Sequence, residues 1–205
     1  MDVLQVHDVH AHRWWTDSPP PDKETPLDPD YDFVGAPGMR VLQDARAEGL
    51  CRFTGITGGM FASVVRVLSN VDVDICLPAF DYDTLQRGAR RDVIPLARRK
   101  NVGVVLGGIF KLLPIFANVA EWLTFLPDGT TPEFEDRIKR LYGIHKDSGL
   151  SFVELTLRYL VADRDVSTIL VGAANPGEIE GSVVAGEAGQ LPAELHAAVG
   201  ELGLP

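Results

Sequence analysis

Short apolar strands alternate with helices along the whole chain. Five runs of apolar, mostly β-branched residues are each followed by a stretch whose apolar residues recur at helical spacing. Strands with apolar residues on both faces are typical of parallel sheets with helical crossovers. The pattern predicts an α/β protein of about five parallel strands. The predicted strands are Val3–Val6, Cys51–Ile56, Val71–Leu77, Asn101–Leu106 and Val166–Val171.

Start and stop signals delimit several of the intervening helices. Thr131 is predicted to cap a helix whose first turn contains proline. Ser151-Phe-Val-Glu154 has the pattern of a capping box, and Asn175 precedes a further helix. Pro95 is predicted to confine the regular part of an arginine-rich helix to the residues around and after Asp92.

Residues 13–38 interrupt the alternation of strands and helices. They are rich in proline and aspartate and predict a long loop inserted into one domain that spans residues 1–205. A complete eight-unit barrel takes about 250 residues, and this chain of 205 residues contains five strand–helix units. An open doubly wound sheet fits the count equally well, so composition and periodicity do not separate the two.

The net charge of −10 disfavours nucleic acid and anionic membranes as partners, because both require a basic surface. The arginines between residues 87 and 99 are interpreted as a solvated helix face. The apolar stretch 102–126 is interrupted by Lys111, Pro114 and Glu121, which argues against a membrane span. Two cysteines, Cys51 and Cys76, are expected in strands as reduced thiols of a cytoplasmic protein.

A metal-dependent hydrolase is one alternative. His7, His10 and His12 follow the first strand, as in many hydrolases of the barrel class. Such a site needs further ligands at later strand ends, and the remaining histidines, His145 and His196, lie in predicted helices. The sequence therefore predicts no metal site.

Four stretches resemble the aldo-keto reductases in that family's order. DVLQVHDV resembles the fourth barrel strand, and CRFTGITGG resembles the fifth. RDVIPLARRKNVGVVLGG resembles the passage from the sixth helix to the seventh strand. The segment from Ser151 to Val183 resembles the late helix and eighth strand. The resemblance is greatest to the sugar-oxidising branch of galactose- and threo-aldose-dehydrogenase type.

The resemblance implies a partial TIM barrel made of family strands four to eight, with the N-terminal strands missing. It implies hydride transfer between NAD or NADP and a sugar or other carbonyl or alcohol. The cofactor would bind without a Rossmann domain, and the chain contains no G-x-G-x-x-G motif.

The resemblance also assigns residues at the strand ends. His7 matches the catalytic histidine, which as a neutral imidazole can donate a hydrogen bond to a developing alkoxide. Thr57 and Gly58 match the residues that hold the nicotinamide carboxamide. Gly107 and Gly108 follow the seventh family strand, where glycine permits close approach to the cofactor.

A second set corresponds to the adenosine end of the cofactor. Gly172 and Ala173 stand where a basic or hydroxyl residue often binds the adenosine phosphate, and Glu178 and Ser182 stand at neighbouring cofactor positions. A carboxylate repels a 2′-phosphate, which favours NAD over NADP. The helix start at Asn175 can offer N–H groups to a pyrophosphate.

The family's acid/base tyrosine, its lysine partner and its aspartate come from strands that would precede Met1. None of Tyr31, Tyr82, Tyr142 and Tyr159 has the expected placement. Loss of an acid/base group removes roughly two to four orders of magnitude in rate, so impaired activity is expected. The alternative is an inactive fragment, or a subunit that needs a partner to complete the barrel. Open sheet edges would favour self-association.

Overall fold

The computed structural model describes residues 1–22, 25–111 and 131–203. The contacts among these residues divide the chain into two compact units. The first contains residues 1–79 and 88–107, and the second contains residues 80–87 and the chain from residue 108 onward. The single domain expected over residues 1–205 stays a prediction.

The first unit contains four parallel strands that pair in chain order. Val3 lies beside Phe53, Gly55 beside Ile75, and Ile75 in turn beside Gly103. This consecutive order is the one expected for successive strand–helix units. The strands are β1 (Val3–Val6), β2 (Phe53–Gly58), β3 (Ile75–Pro78) and β4 (Gly103–Leu106).

Three helices connect these strands. Their apolar stripes are buried, with Leu42, Val64 and Leu68 at most 2% exposed. Pro95 lies in the first turn of the third helix, and a π-helical turn precedes that helix, which confirms the predicted position of its regular part. The helices are α1 (Pro37–Ala47), α2 (Phe61–Asn70) and α3 (Ile94–Arg99), and the π-helical turn is Ala89–Val93.

The segment between β1 and α1 packs into the first unit through its own aromatic residues. After a 3-10 turn over His12–Trp14, the described residues up to Pro37 form neither helix nor strand. Trp15 and Phe33 are buried and meet edge to face with ring centres 5.3 Å apart. The Trp15 indole also donates to the Val9 carbonyl at 2.7 Å. These contacts attach the segment to the residues that follow β1.

Among its described residues, the second unit contains one short strand and four helices around an aliphatic core. Predicted caps are confirmed at Thr131, Ser151 and Asn175, whose side chains each accept the backbone N–H three residues ahead. The elements are β5 (Thr168–Ile169), α4 (Pro132–Ser148), α5 (Phe152–Leu160), α6 (Pro176–Glu187) and α7 (Ala193–Gly200). The core residues are Leu85, Ile138, Leu141, Leu155, Leu191, Val199 and Leu202.

The expected α/β class is confirmed, but some strand boundaries were wrong. Cys51 lies before β2, because its N–H faces the Ala45 carbonyl in the turn that ends α1. The strand expected over Val166–Val171 is reduced to two residues. The apolar stretch 102–126 lies outside the described residues from Leu112 onward. No helix in the described ranges is long and apolar enough to cross a bilayer.

Candidate functional site

The site residues predicted in the first unit share one edge of its sheet. His7 directly follows β1, Thr57 and Gly58 close β2, and Gly107 directly follows β4. Because the paired strands are parallel, these positions all lie at carboxyl ends, where α/β barrels place their chemistry. The sheet therefore brings the predicted residues of this unit to one edge, the carboxyl ends of its strands.

His7 carries an exposed imidazole beside a carboxylate. Its side chain is 77% exposed, and its Nδ1 lies 3.3 Å from Asp8 Oδ2. Asp8 has a positive φ of 56°, a conformation that non-glycine residues seldom adopt, and the Trp14 indole donates to the His7 carbonyl at 2.8 Å. With Nδ1–H donating to Asp8, Nε2 accepts a proton in the neutral ring and donates one in the imidazolium. His7 can thus hold or orient a proton at Nε2.

Thr57 and Gly58 are constrained by packing. Thr57 is buried, and its carbonyl accepts the N–H of Val9 at 3.0 Å. A Cβ at Gly58 would lie 3.2 Å from methyl groups of Val64 and Val9. The absence of a side chain at Gly58 is therefore explained by the protein interior, and only its backbone can serve a ligand.

Gly107 and Gly108 are also required by their own surroundings. A Cβ at Gly107 would lie 2.9 Å from Leu77 Cδ2. Gly108 has a φ of +67°, and a Cβ there would clash with the Phe80 ring. The glycine pair at the end of β4 is thus explained locally, and its predicted closeness to a cofactor stays a prediction.

The adenosine-end residues gather around one cavity of the second unit. This cavity of about 340 Å³ is lined by Gly172, Glu178 and Ser182, whereas Ala173 lies outside the lining. Apolar walls come from Phe110 and other side chains, so the cavity combines apolar and polar surface as small-molecule sites do. The remaining lining residues are Ser151, Val153, Glu154, Gly177, Gly181 and Val184.

The Glu178 carboxylate lies at the N-terminus of α6, where a helix favours a negative charge. Its Oε2 accepts the Ala174 N–H at 2.7 Å, and its Oε1 accepts from Asn175 Nδ2 at 2.8 Å. Its own N–H donates to Asn175 Oδ1, and Ser182 Oγ donates to the Glu178 carbonyl at 2.9 Å. A carboxylate is favoured there by the helix dipole. Two of the N–H groups expected to serve a pyrophosphate are therefore already bonded within the protein.

The buried Tyr82 is hydrogen-bonded to the half-buried Asp163, a pair that the sequence analysis did not predict. Its hydroxyl donates to Asp163 Oδ2 at 2.6 Å. Burial raises the pKa of Tyr82 well above its ordinary value, and the hydrogen bond and charge of Asp163 raise it further. Such a group keeps its proton at neutral pH and is unsuited to acid–base exchange. Because 81 positions separate the two residues, no local pattern could have indicated the pair.

The histidines near β1 do not gather as metal ligands. Both ring nitrogens of His12 are engaged at 2.8 Å, one with the Tyr31 hydroxyl and one with the Thr25 carbonyl. Within the described parts of the chain, no group of three or more His, Cys, Asp or Glu side chains could hold a metal ion.

Comparison with known proteins places this geometry in a family. Residues 1–203 match the model of the Aldo/keto reductase family. L-galactose dehydrogenase of Arabidopsis thaliana is 28% identical over 189 residues, which cover 90% of this chain and 52% of that protein. D-threo-aldose 1-dehydrogenase of a Pseudomonas species is 22% identical over 180 residues, covering 87% and 50%. The chain thus spans about half the length of these relatives.

A solved structure supports the fold independently. Aldo-keto reductase AKR11C1 from Bacillus halodurans superposes with a TM-score of 0.61 at 22% identity. The match covers 98% of this chain and 62% of that one. At this identity the likeness speaks for the fold alone, and the assignment of the family depends on the match over residues 1–203. The chain therefore belongs to the aldo/keto reductase family.

Proposed function

We propose that this chain takes part in hydride transfer between NAD and the carbonyl or alcohol carbon of a sugar or related compound. The proposal depends chiefly on one observation: Gly172, Glu178 and Ser182, assigned to the cofactor from sequence, line the same cavity. The two relatives named above are dehydrogenases of an aldohexose and of aldoses. These names support a polyhydroxylated substrate.

The cavity of the second unit fits the adenosine end of a dinucleotide. Its volume lies within the range of small-molecule sites, and Phe110, Val153 and Val184 offer apolar surface to a purine. Glu178 sets the cofactor preference in this proposal. Its carboxylate can accept ribose hydroxyls, whereas it repels a 2′-phosphate. NAD is therefore proposed over NADP.

His7 is the proposed contact for the reacting oxygen of the substrate. It projects from the carboxyl end of β1, where its exposed imidazole is accessible. Asp8 Oδ2 lies 3.3 Å from Nδ1 and orients the ring, and Nε2 can donate to the substrate oxygen when it carries a proton. The nicotinamide, when bound, supplies or accepts the hydride. Thr57 is the proposed partner of its carboxamide.

A second candidate is a half-barrel that acts with a complementary chain or segment. The acid/base tyrosine, lysine and aspartate implied by the resemblance have no counterpart among the strand ends described above. Apolar side chains are also exposed on the second unit, with Leu170 at 53%, Val183 at 50% and Val184 at 64%. Three further strand–helix units would supply the missing groups and cover such surface, so we propose them as the partner.

Titration of the 205-residue chain with NADH, followed by nicotinamide fluorescence, tests the cofactor proposal. Saturable binding is expected, and a folded chain that leaves NADH fluorescence unchanged would refute it. Oxidation of L-galactose followed at 340 nm with NAD then separates the two candidates. Binding without turnover, together with turnover after addition of a segment carrying the Asp, Tyr and Lys groups, favours the half-barrel.

A further inference from the structure

A separate cavity lies in the first unit, in the segment that follows β1. Its volume is about 420 Å³, within the 300–1,000 Å³ range of small-molecule sites. None of the residues assigned to the cofactor lines it. The lining residues are Asp8, His10, Ala11, His12, Arg13 and Pro19–Pro21.

His10, which lines this cavity, carries a polar atom without a hydrogen-bond partner among the described residues. Its Nδ1 is buried and has no hydrogen-bond partner among the described residues. A buried polar atom without a partner destabilises the fold, and such atoms are few in native proteins. The neighbouring His12 differs, since both of its ring nitrogens are bonded within the segment. His12 therefore holds this part of the lining in place, whereas a ligand can reach the buried Nδ1 of His10 only if the imidazole turns towards the cavity.

Arg13 brings a cation without an anionic partner. Its guanidinium lies 5.0 Å from the centre of the Trp14 ring, and no carboxylate of the described chain pairs with it. Arg46 and Arg52 of the same unit, in contrast, pair with aspartates at 2.5 and 2.7 Å. The exposed guanidinium of Arg13 is therefore able to donate a forked pair of hydrogen bonds to an anion.

Asp8 connects the cavity to the proposed active histidine. Its carboxylate is the one anion of the lining, and it lies 3.3 Å from His7 Nδ1, which offsets its charge when His7 is protonated. The positive φ of Asp8 fixes this placement. A ligand in the cavity consequently lies beside the residue that contacts His7.

We propose that this cavity binds a small ligand carrying a carboxylate group, such as a sugar acid. The carboxylate accepts a bidentate pair of hydrogen bonds from Arg13, and His10 adds a further one once its imidazole turns towards the cavity. The C–H surface of the ligand packs on the prolines of Pro19–Pro21. That this ligand is also the substrate depends on the proposed function. The binding itself needs no cofactor.

The test compares two sugars that differ only in the acid group. The 205-residue chain, without cofactor, is titrated with D-galacturonate and with D-galactose while the imidazole resonances of His10 are followed by NMR. We expect saturable shifts with galacturonate and at least roughly tenfold weaker binding of galactose, as loss of a charge-assisted bond implies. Arg13→Gln should weaken galacturonate binding by a similar factor and abolish the preference.

Matched variants keep the test decisive. Arg99→Gln removes the same charge from an exposed position of the same unit and should leave binding unchanged. Arg13→Lys keeps the charge but loses the forked geometry, and an intermediate affinity is expected. Equal binding of the two sugars, no saturable shift of His10, or equal losses in the Arg13→Gln and Arg99→Gln variants would overturn the proposal. NADH titration of the same samples reports on the proposed function separately.

Discussion

Replacing Glu178 by glutamine is expected to relax the discrimination against a phosphorylated cofactor. In the structure the carboxylate accepts the Ala174 N–H at 2.7 Å and the Asn175 side-chain amide at 2.8 Å at the start of α6. The substitution removes the negative charge but retains an acceptor oxygen. The substitution therefore changes the charge at residue 178 with little change in the size and shape of the side chain.

The size of the effect follows from Coulomb's law. Two unit charges about 4 Å apart interact by about 1 kcal/mol in water and by about 4 kcal/mol at an effective dielectric constant of about 20. Glu178 is exposed, so the lower figure applies, and a 2′-phosphate carries close to two charges. Removal of the carboxylate should thus favour NADPH by about 1–2 kcal/mol, or roughly 5- to 30-fold.

Fluorescence titration of wild type and variant with NADH and NADPH measures this ratio directly. Glu180→Gln serves as the matched control, because it removes the same charge from an exposed position of α6 outside the cavity lining. Raising the salt concentration should shrink the effect, as expected for an exposed charge. An unchanged NADPH-to-NADH affinity ratio in Glu178→Gln, or an equal change in Glu180→Gln, would refute the reasoning.

Three further predictions concern stability and reactivity. Gly108→Ala should lower the free energy of unfolding by about 1–3 kcal/mol, because the φ of Gly108 is +67° and a Cβ would meet Phe80. At Gly172 a Cβ would meet nothing within 4 Å, so Gly172→Ala should lower the melting temperature far less. Leu155→Ala should cost about 2–5 kcal/mol in urea unfolding, because Leu155 is fully buried. Burial raises the pKa of Cys76 from 9.0 to about 12, so its thiol should resist alkylation until the chain unfolds, and stability should fall as pH rises from 9 towards 12.

Local chemistry explains which structural features were predictable. The caps at Thr131, Ser151 and Asn175 involve groups three residues apart, and they appear in the structure as predicted. The strand boundaries depend on pairing with distant segments, and there the prediction was wrong at Cys51. The two-residue length of β5 could not be read from its apolar run.

The candidate site likewise has features that the sequence predicted and features that only the structure shows. His7, Thr57 and Gly107 were expected at strand ends, and their common edge follows from parallel pairing. The bonding of Glu178 to Ala174 was not foreseen, because the residue types at these positions do not show whether a carboxylate folds back onto its own helix. The two predicted sets lie in different compact units, except for Gly108, which falls in the second unit, and the roles of both sets at a cofactor stay predictions.

The sequence alone determined the alternation of strands and helices, the helix caps and the family, since each depends on residue types at short spacing. Only the tertiary structure decided which polar groups form hydrogen bonds and which are buried without a hydrogen-bond partner. The Tyr82–Asp163 hydrogen bond joins residues 81 positions apart, and the burial of His10 Nδ1 without a partner among the described residues is likewise a property of the folded chain. The properties of these groups follow from exclusion of solvent and from distances in the folded chain. Neither can be read from the order of the residues alone.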